Sequence, residues 1–216
     1  MPEPHKEQQP DESSIVTITI PSGKKFTVHA HLLAQHSEYF RRALNSQFQE
    51  AKTLKFDLVE HATEKIVSNF VNWIYTVSSA TFVERTWLEY YVFPEMDFKD
   101  LVHSWLFGEY LQAKEFQLSI VYFLAEWGHR DLGSVADLWD AVPPNSGIRR
   151  VMVELFCQGC VRDGEEKTSP QLENLPMTML QEVSKRLVTG LKKAIEASGT
   201  EAPRFSEFDL DPEKYR

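Results

Sequence analysis

Three histidines and two cysteines are the residues of this chain best suited to chemistry. His29, His31 and His36 fall within eight residues of one another. Imidazoles at such spacing could bind a metal or move protons, but both roles need a thiol, a carboxylate or a further imidazole at a fitting position. The His29/His31 spacing and the lack of a thiol or carboxylate partner make the expectation structural histidines. Cys157 and Cys160 form a C-x-x-C. That spacing supports thiol redox chemistry where a helix N-terminus lowers the thiol pKa. Here it lies late in an apparent helix, VMVELFCQGC. No second pair completes a zinc site, so two buried cysteines on a packed helix are expected. The chain has no glycine-rich phosphate loop, G-x-S-x-G or HExxH. We expect no enzyme, no cofactor and no metal.

Composition narrows the remaining classes. The 216 residues allow one ordinary domain or a domain with an extension. Hydrophobic residues are 42% and aromatics 12%, which supplies a real core. The net charge of −9 disfavours nucleic acid or an anionic membrane as partner. No apolar run approaches the roughly 20 residues of a membrane span. The first residues, MPEPHKEQQPDESS, have no apolar core and do not read as a signal peptide. Two cysteines suit a reducing compartment, so an intracellular protein, in cytoplasm or nucleus, is expected.

The elements follow from periodicity. Residues 1–14 read as disordered. Ile15 to Ile20 is β-branched and reads as a strand. Pro21-Ser22-Gly23-Lys24 is a turn, and Lys25 to Val28 returns as the second strand. Leu32, Leu33, Tyr39, Phe40, Ala43 and Leu44 have helical spacing broken near Ser37, a candidate N-cap of the second helix. Thr53 to Leu58 alternates and reads as a strand. His61 to Tyr75 is an amphipathic helix through Ile66, Phe70 and Ile74. An aromatic segment, 77–99, is expected to pack on the domain. Helices are expected over Asp100 to Ala113, Gln117 to Trp127, Ile148 to Val161 and Leu175 to Ala197. The last has Leu180, Val183, Leu187, Leu191 and Ile195 along one side. Residues 163–174 read as a polar loop. The end of the chain, 198–216, reads as a mobile acidic tail, in which Phe205 to Asp211 (FSEFDLD) is a candidate docking peptide.

Over residues 15–127 this order resembles the BTB/POZ fold. Val16, Ile18 and Ile20 match the family's first strand, and Gly23 and Phe26 its turn and following aromatic. His29, Leu33, Ser37, Tyr39 and Phe40 match its H-x-x-x-L-x-x-x-S-x-[YF]-F signature. Phe48 and Glu50 match its [FM]-x-E segment. Phe70, Ile74, Tyr75 and Thr76 match its F-x-x-x-[IL]-Y-[TS] helix end. Beyond residue 100 the chain looks like BTB proteins common in filamentous fungi, with Arg149-Arg150 and Leu175-Pro176 matching their helical tail.

The resemblance implies an α+β fold, a small sheet packed with a helical cluster, followed by a helical extension over 134–197. It implies a protein-binding adaptor or scaffold, in which Phe48 and Glu50 contact the cullin-3-type scaffold of a ubiquitin ligase. A nuclear, transcription-linked oligomerisation module is the alternative. Two departures bear on the choice. Ile15 stands where the family often has an Asp that contributes to a corepressor pocket. Residues 1–14 lack the apolar stripe of the helix that dimeric members exchange, so a monomer or weak homodimer is expected. No kelch, MATH or zinc-finger pattern is read after the BTB-like region, so no separate substrate-reading domain is expected in these residues.

Overall fold

A computed structural model describes residues 11–58, 62–79, 92–93, 96–127, 133–163, 173 and 175–198. The chain divides into two units, residues 1–96 with 103–120 and residues 97–102 with 121–216. Each is described by itself.

In the first unit, β1 (Ile15–Thr19) alternates so that Val16 and Ile18 point into the core. It pairs antiparallel with β2 (Lys25–His29), with Val16 opposite Val28 and Ile18 opposite Phe26. Gly23 turns the hairpin at a φ of +83°, a left-handed conformation that a Cβ would strain. α1 (Ala30–His36) and α2 (Glu38–Leu44) follow, then a short α3 (Gln49–Thr53). β3 (Lys55–Asp57) lies parallel to β1 on its other side, giving the order β2-β1-β3. The three-stranded sheet and helical cluster are those the resemblance implied.

α4 (Glu64–Ser79) buries Ile66, Phe70, Trp73 and Ile74 and runs four residues past the predicted end. Phe70 and Trp73 meet Phe116 at centroid distances of 5.1 and 5.2 Å, the edge-on geometry that aromatic quadrupoles favour. The Trp73 indole N–H donates to Ser119 Oγ at 3.0 Å, so the buried ring leaves no polar atom unsatisfied. α5 (Phe98–Tyr110) and α6 (Lys114–Trp127) start two and three residues earlier than their periodicity suggested.

The predicted strand over Thr53 to Leu58 needs correction. Thr53 belongs to α3, where its hydroxyl donates to the Gln49 carbonyl at 2.9 Å. Leu54 then takes a left-handed φ of 53°, and the strand begins only at Lys55. Alternation does not report a helix stop one residue before a strand.

The second unit contains α7 (Gly133–Leu138), which periodicity did not pick out, and a 3₁₀ turn, Trp139–Ala141. α8 (Gly147–Asp163) buries Ile148, Val151, Met152, Leu155, Phe156 and Cys157. It is apolar around most of its circumference, as a central helix must be. The Arg149 guanidinium lies 4.0 Å over the Trp139 ring and donates to the Trp139 carbonyl at 3.0 Å. α9 (Met177–Ser198) packs on α8, with Met179 and Val183 buried and Arg186 engaging Glu154. Of the predicted stripe, Val183 is buried, whereas Leu191 is 42% exposed. The segments 80–91, 164–172 and 199–216 lie outside the described residues, with most of the predicted aromatic segment and all but Ser198 of the predicted tail.

Candidate functional site: a groove beside Phe48

The signature residues build one side of the first unit. Ser37, at the N-cap of α2, accepts from the Phe40 N–H at 3.3 Å. Its hydroxyl donates in turn to the Leu111 carbonyl at 2.6 Å. One buried side chain thus satisfies a helix start and the turn between α5 and α6. Leu33 and Phe40 are fully buried, and Phe40 meets Phe56 of β3 edge-on at 5.3 Å. The Tyr75 hydroxyl lies 2.7 Å from His29 Nδ1 and accepts from the His29 N–H at 3.3 Å. These residues anchor α1, α2 and α4 to one another.

His36 has a larger role than its sequence context indicated. Its ring is buried, with Nε2 3.1 Å from Ser78 Oγ and Nδ1 3.2 Å from Glu115 Oε2. Trp73 packs edge-on against it at 5.2 Å. The imidazole ties α1 to α4 and α6. None of these groups lines the groove described next. Among the described residues, no group of three or more His, Cys, Asp and Glu is placed to hold a metal ion. Cys157 is buried against α9, its Sγ 4.0 Å from the Val183 carbonyl.

A surface groove of about 650 Å³ opens where α2, α3, β3 and the turn after α5 meet. Tyr39, Arg42, Phe48, Glu50, Lys55 and Gln112 are among its walls. Phe48 is 73% exposed, the most exposed large hydrophobic side chain among the described residues. It is the N-cap residue of α3, with an extended backbone, and its N–H donates to Ser46 Oγ at 3.2 Å. The Ser46 hydroxyl donates to the Ala43 carbonyl at 2.6 Å, closing the turn that presents the ring. Glu50 lies in the first turn of α3, where the helix dipole favours a carboxylate. Phe48 therefore does not cap the core. It stands out from it, on the rim of a cavity.

The electrostatics of the wall are mixed. Glu38 accepts from Arg41 and Arg42, and these guanidiniums, Arg41 foremost, hold its carboxyl below the usual range. The Tyr39 ring lies 5.4 Å from that of Tyr110. Burial, then the Tyr110 hydrogen bond and the Glu50 charge, push the Tyr39 hydroxyl up to about 12. Tyr39 is therefore a neutral hydroxyl on the groove wall throughout the physiological range. Arg42 and Lys55 line the groove together with Glu50 and Asp57. Such a surface suits a polypeptide with an apolar anchor and directional polar contacts better than a polyanion.

Sequence reasoning named Phe48, Glu50 and Tyr39 but not Arg42, Lys55 or Gln112. Gln112 reaches the groove through a left-handed turn with a φ of 51°, which its residue type does not announce.

Residues 6–89 match the family model of the BTB/POZ domain. The chain carries a BTB/POZ domain, a protein-interaction module. No curated protein matches the chain.

Proposed function

We propose that this chain is a non-enzymatic adaptor whose BTB/POZ domain docks through the Phe48 groove onto the cullin-3-type scaffold of a ubiquitin ligase. The observation that carries the reading is the exposed Phe48 ring beside Glu50 on the rim of a 650 Å³ groove. A lone exposed hydrophobic is ordinary on a protein surface; what distinguishes Phe48 is its place with Glu50 on the rim of a groove. Inserted into an apolar pocket it serves as an anchor. Glu50 and the Tyr39 hydroxyl then supply directional contacts around it. The helices of the second unit offer a separate surface for a second protein, as an adaptor requires.

The test is co-precipitation of a purified cullin-3-type scaffold with the purified full chain, wild type beside Phe48→Ala/Glu50→Ala. Capture by the wild type and loss with the double variant supports the reading. Failure of the wild type to capture the scaffold ends it.

A further inference from the structure

The outward face of α9 carries apolar side chains that its packing on α8 does not use. Met179 and Val183 are buried, but Met177 is 67%, Val188 66% and Leu191 42% exposed. At 100° per residue, Met177, Ser184, Val188 and Leu191 share one strip, rotated away from Met179 and Val183. Lys185 precedes Val188 by one turn and Lys192 follows it by one turn, and both are exposed. From Ser184 to Ile195 the helix has Lys185, Arg186, Lys192 and Lys193 and no Asp or Glu. Arg186 is engaged by Glu154 of α8. The strip is thus apolar, with Lys185 and Lys192 along one flank between Glu182 and Glu196.

The same chain supplies a segment of complementary chemistry. Phe205 to Asp211, FSEFDLD, has three carboxylates, Glu207, Asp209 and Asp211, and three large apolar residues, Phe205, Phe208 and Leu210. We propose that this segment folds back onto α9, with Phe208 and Leu210 on Val188 and Leu191 and its carboxylates at Lys185 and Lys192. The reach is adequate. Leu191 lies seven residues before Ser198, about 10 Å along the helix axis. Residues 199–204 can span up to about 20 Å when extended. The spacing fits as well. Lys185 and Lys192 are two turns apart, about 10 Å. Glu207 and Asp211 lie about 14 Å apart in an extended chain. In an extended chain Glu207 and Asp211 face away from Phe208 and Leu210, so with the apolar pair on the strip the flexible lysine stems rise along the edge of the segment to bring their ammonium groups to the carboxylates. The docked segment covers the apolar strip and neutralises Lys185 and Lys192, so α9 presents a different face to partners when the segment is displaced.

Hydrogen exchange of the full chain tests this directly. The expected result is that amides of 205–211 exchange at least about tenfold more slowly than an unstructured peptide. Lys185→Glu/Lys192→Glu abolishes that protection, and adding Glu207→Lys/Asp211→Lys restores it. Unchanged protection around Met179 and Val183 verifies that the exposed substitutions leave the helix folded. Unprotected amides in the wild type overturn the proposal, as does protection that survives the charge reversal. Protection that grows with protein concentration also overturns it, since the segment would then be docking on a second copy.

Discussion

The Tyr75 hydroxyl sits 2.7 Å from His29 Nδ1 and accepts from the His29 backbone N–H at 3.3 Å. It joins the end of β2 to α4 across 46 residues of sequence. His29 thus has a linking contact in this fold. Tyr75→Phe keeps the ring and removes both contacts. Each hydrogen bond contributes about 1 kcal/mol net, and Tyr75 is 37% exposed. We expect a loss of about 0.5–2 kcal/mol in urea unfolding, with unchanged far-ultraviolet circular dichroism. A variant as stable as the wild type would contradict the linking role.

Ser37→Ala removes two contacts with one oxygen, the cap at Phe40 N–H and the bond to the Leu111 carbonyl. The Leu111 carbonyl keeps the Tyr39 N–H as a donor at 3.2 Å, but a buried cap and a buried hydrogen bond are lost together, so the cost exceeds that of a surface cap. The expected loss is about 2–3 kcal/mol, read as a lower Tm. The groove wall built on α2 should loosen too, seen as faster amide exchange at Tyr39.

Tyr39 sets a pH limit on the groove. Its folded pKa of about 12 lies above its usual 10.0, so the folded chain holds this proton more tightly than the unfolded one. The resulting stability is complete below pH 10 and is lost as pH rises through about 12. Subtracting the tyrosinate absorbance titration of Tyr39→Phe from that of the wild type should give a midpoint near 12. A midpoint near 10 would show that Tyr39 is not held as described.

Cys157 is fully buried. Reaction with a thiol reagent should be slow in native buffer and fast in denaturant. Rapid modification of Cys157 in the folded chain would revive a redox role.

The local parts of this structure were legible because their causes are local. Ser37 as a cap follows from a polar residue at a break in helical spacing, and β1 from a β-branched run whose alternate residues, Val16 and Ile18, fill the core. What stayed hidden depends on partners far along the chain. His36 meets Ser78 and Glu115 at separations of 42 and 79 residues, which no pattern in its neighbourhood encodes. The short α3 escaped because five residues show too little periodicity, and its end at Leu54 relies on a conformation leucine rarely adopts. The groove was visible only through Phe48 and Glu50. The walls at Arg42, Lys55 and Gln112 come together through the packing of α2, β3 and the turn after α5.

The measurement that bears most directly on the adaptor role is calorimetric binding of the purified chain to a cullin-3-type scaffold, for wild type, Phe48→Ala and Glu50→Ala separately. Phe48 is exposed and Glu50 lies on the surface of α3, so neither change should alter Tm appreciably. The account predicts measurable wild-type affinity. It predicts a loss of about 2 kcal/mol, roughly thirtyfold in Kd, for Phe48→Ala, and a smaller loss for Glu50→Ala. Equal affinity of wild type and Phe48→Ala, or no binding by the wild type, would contradict it.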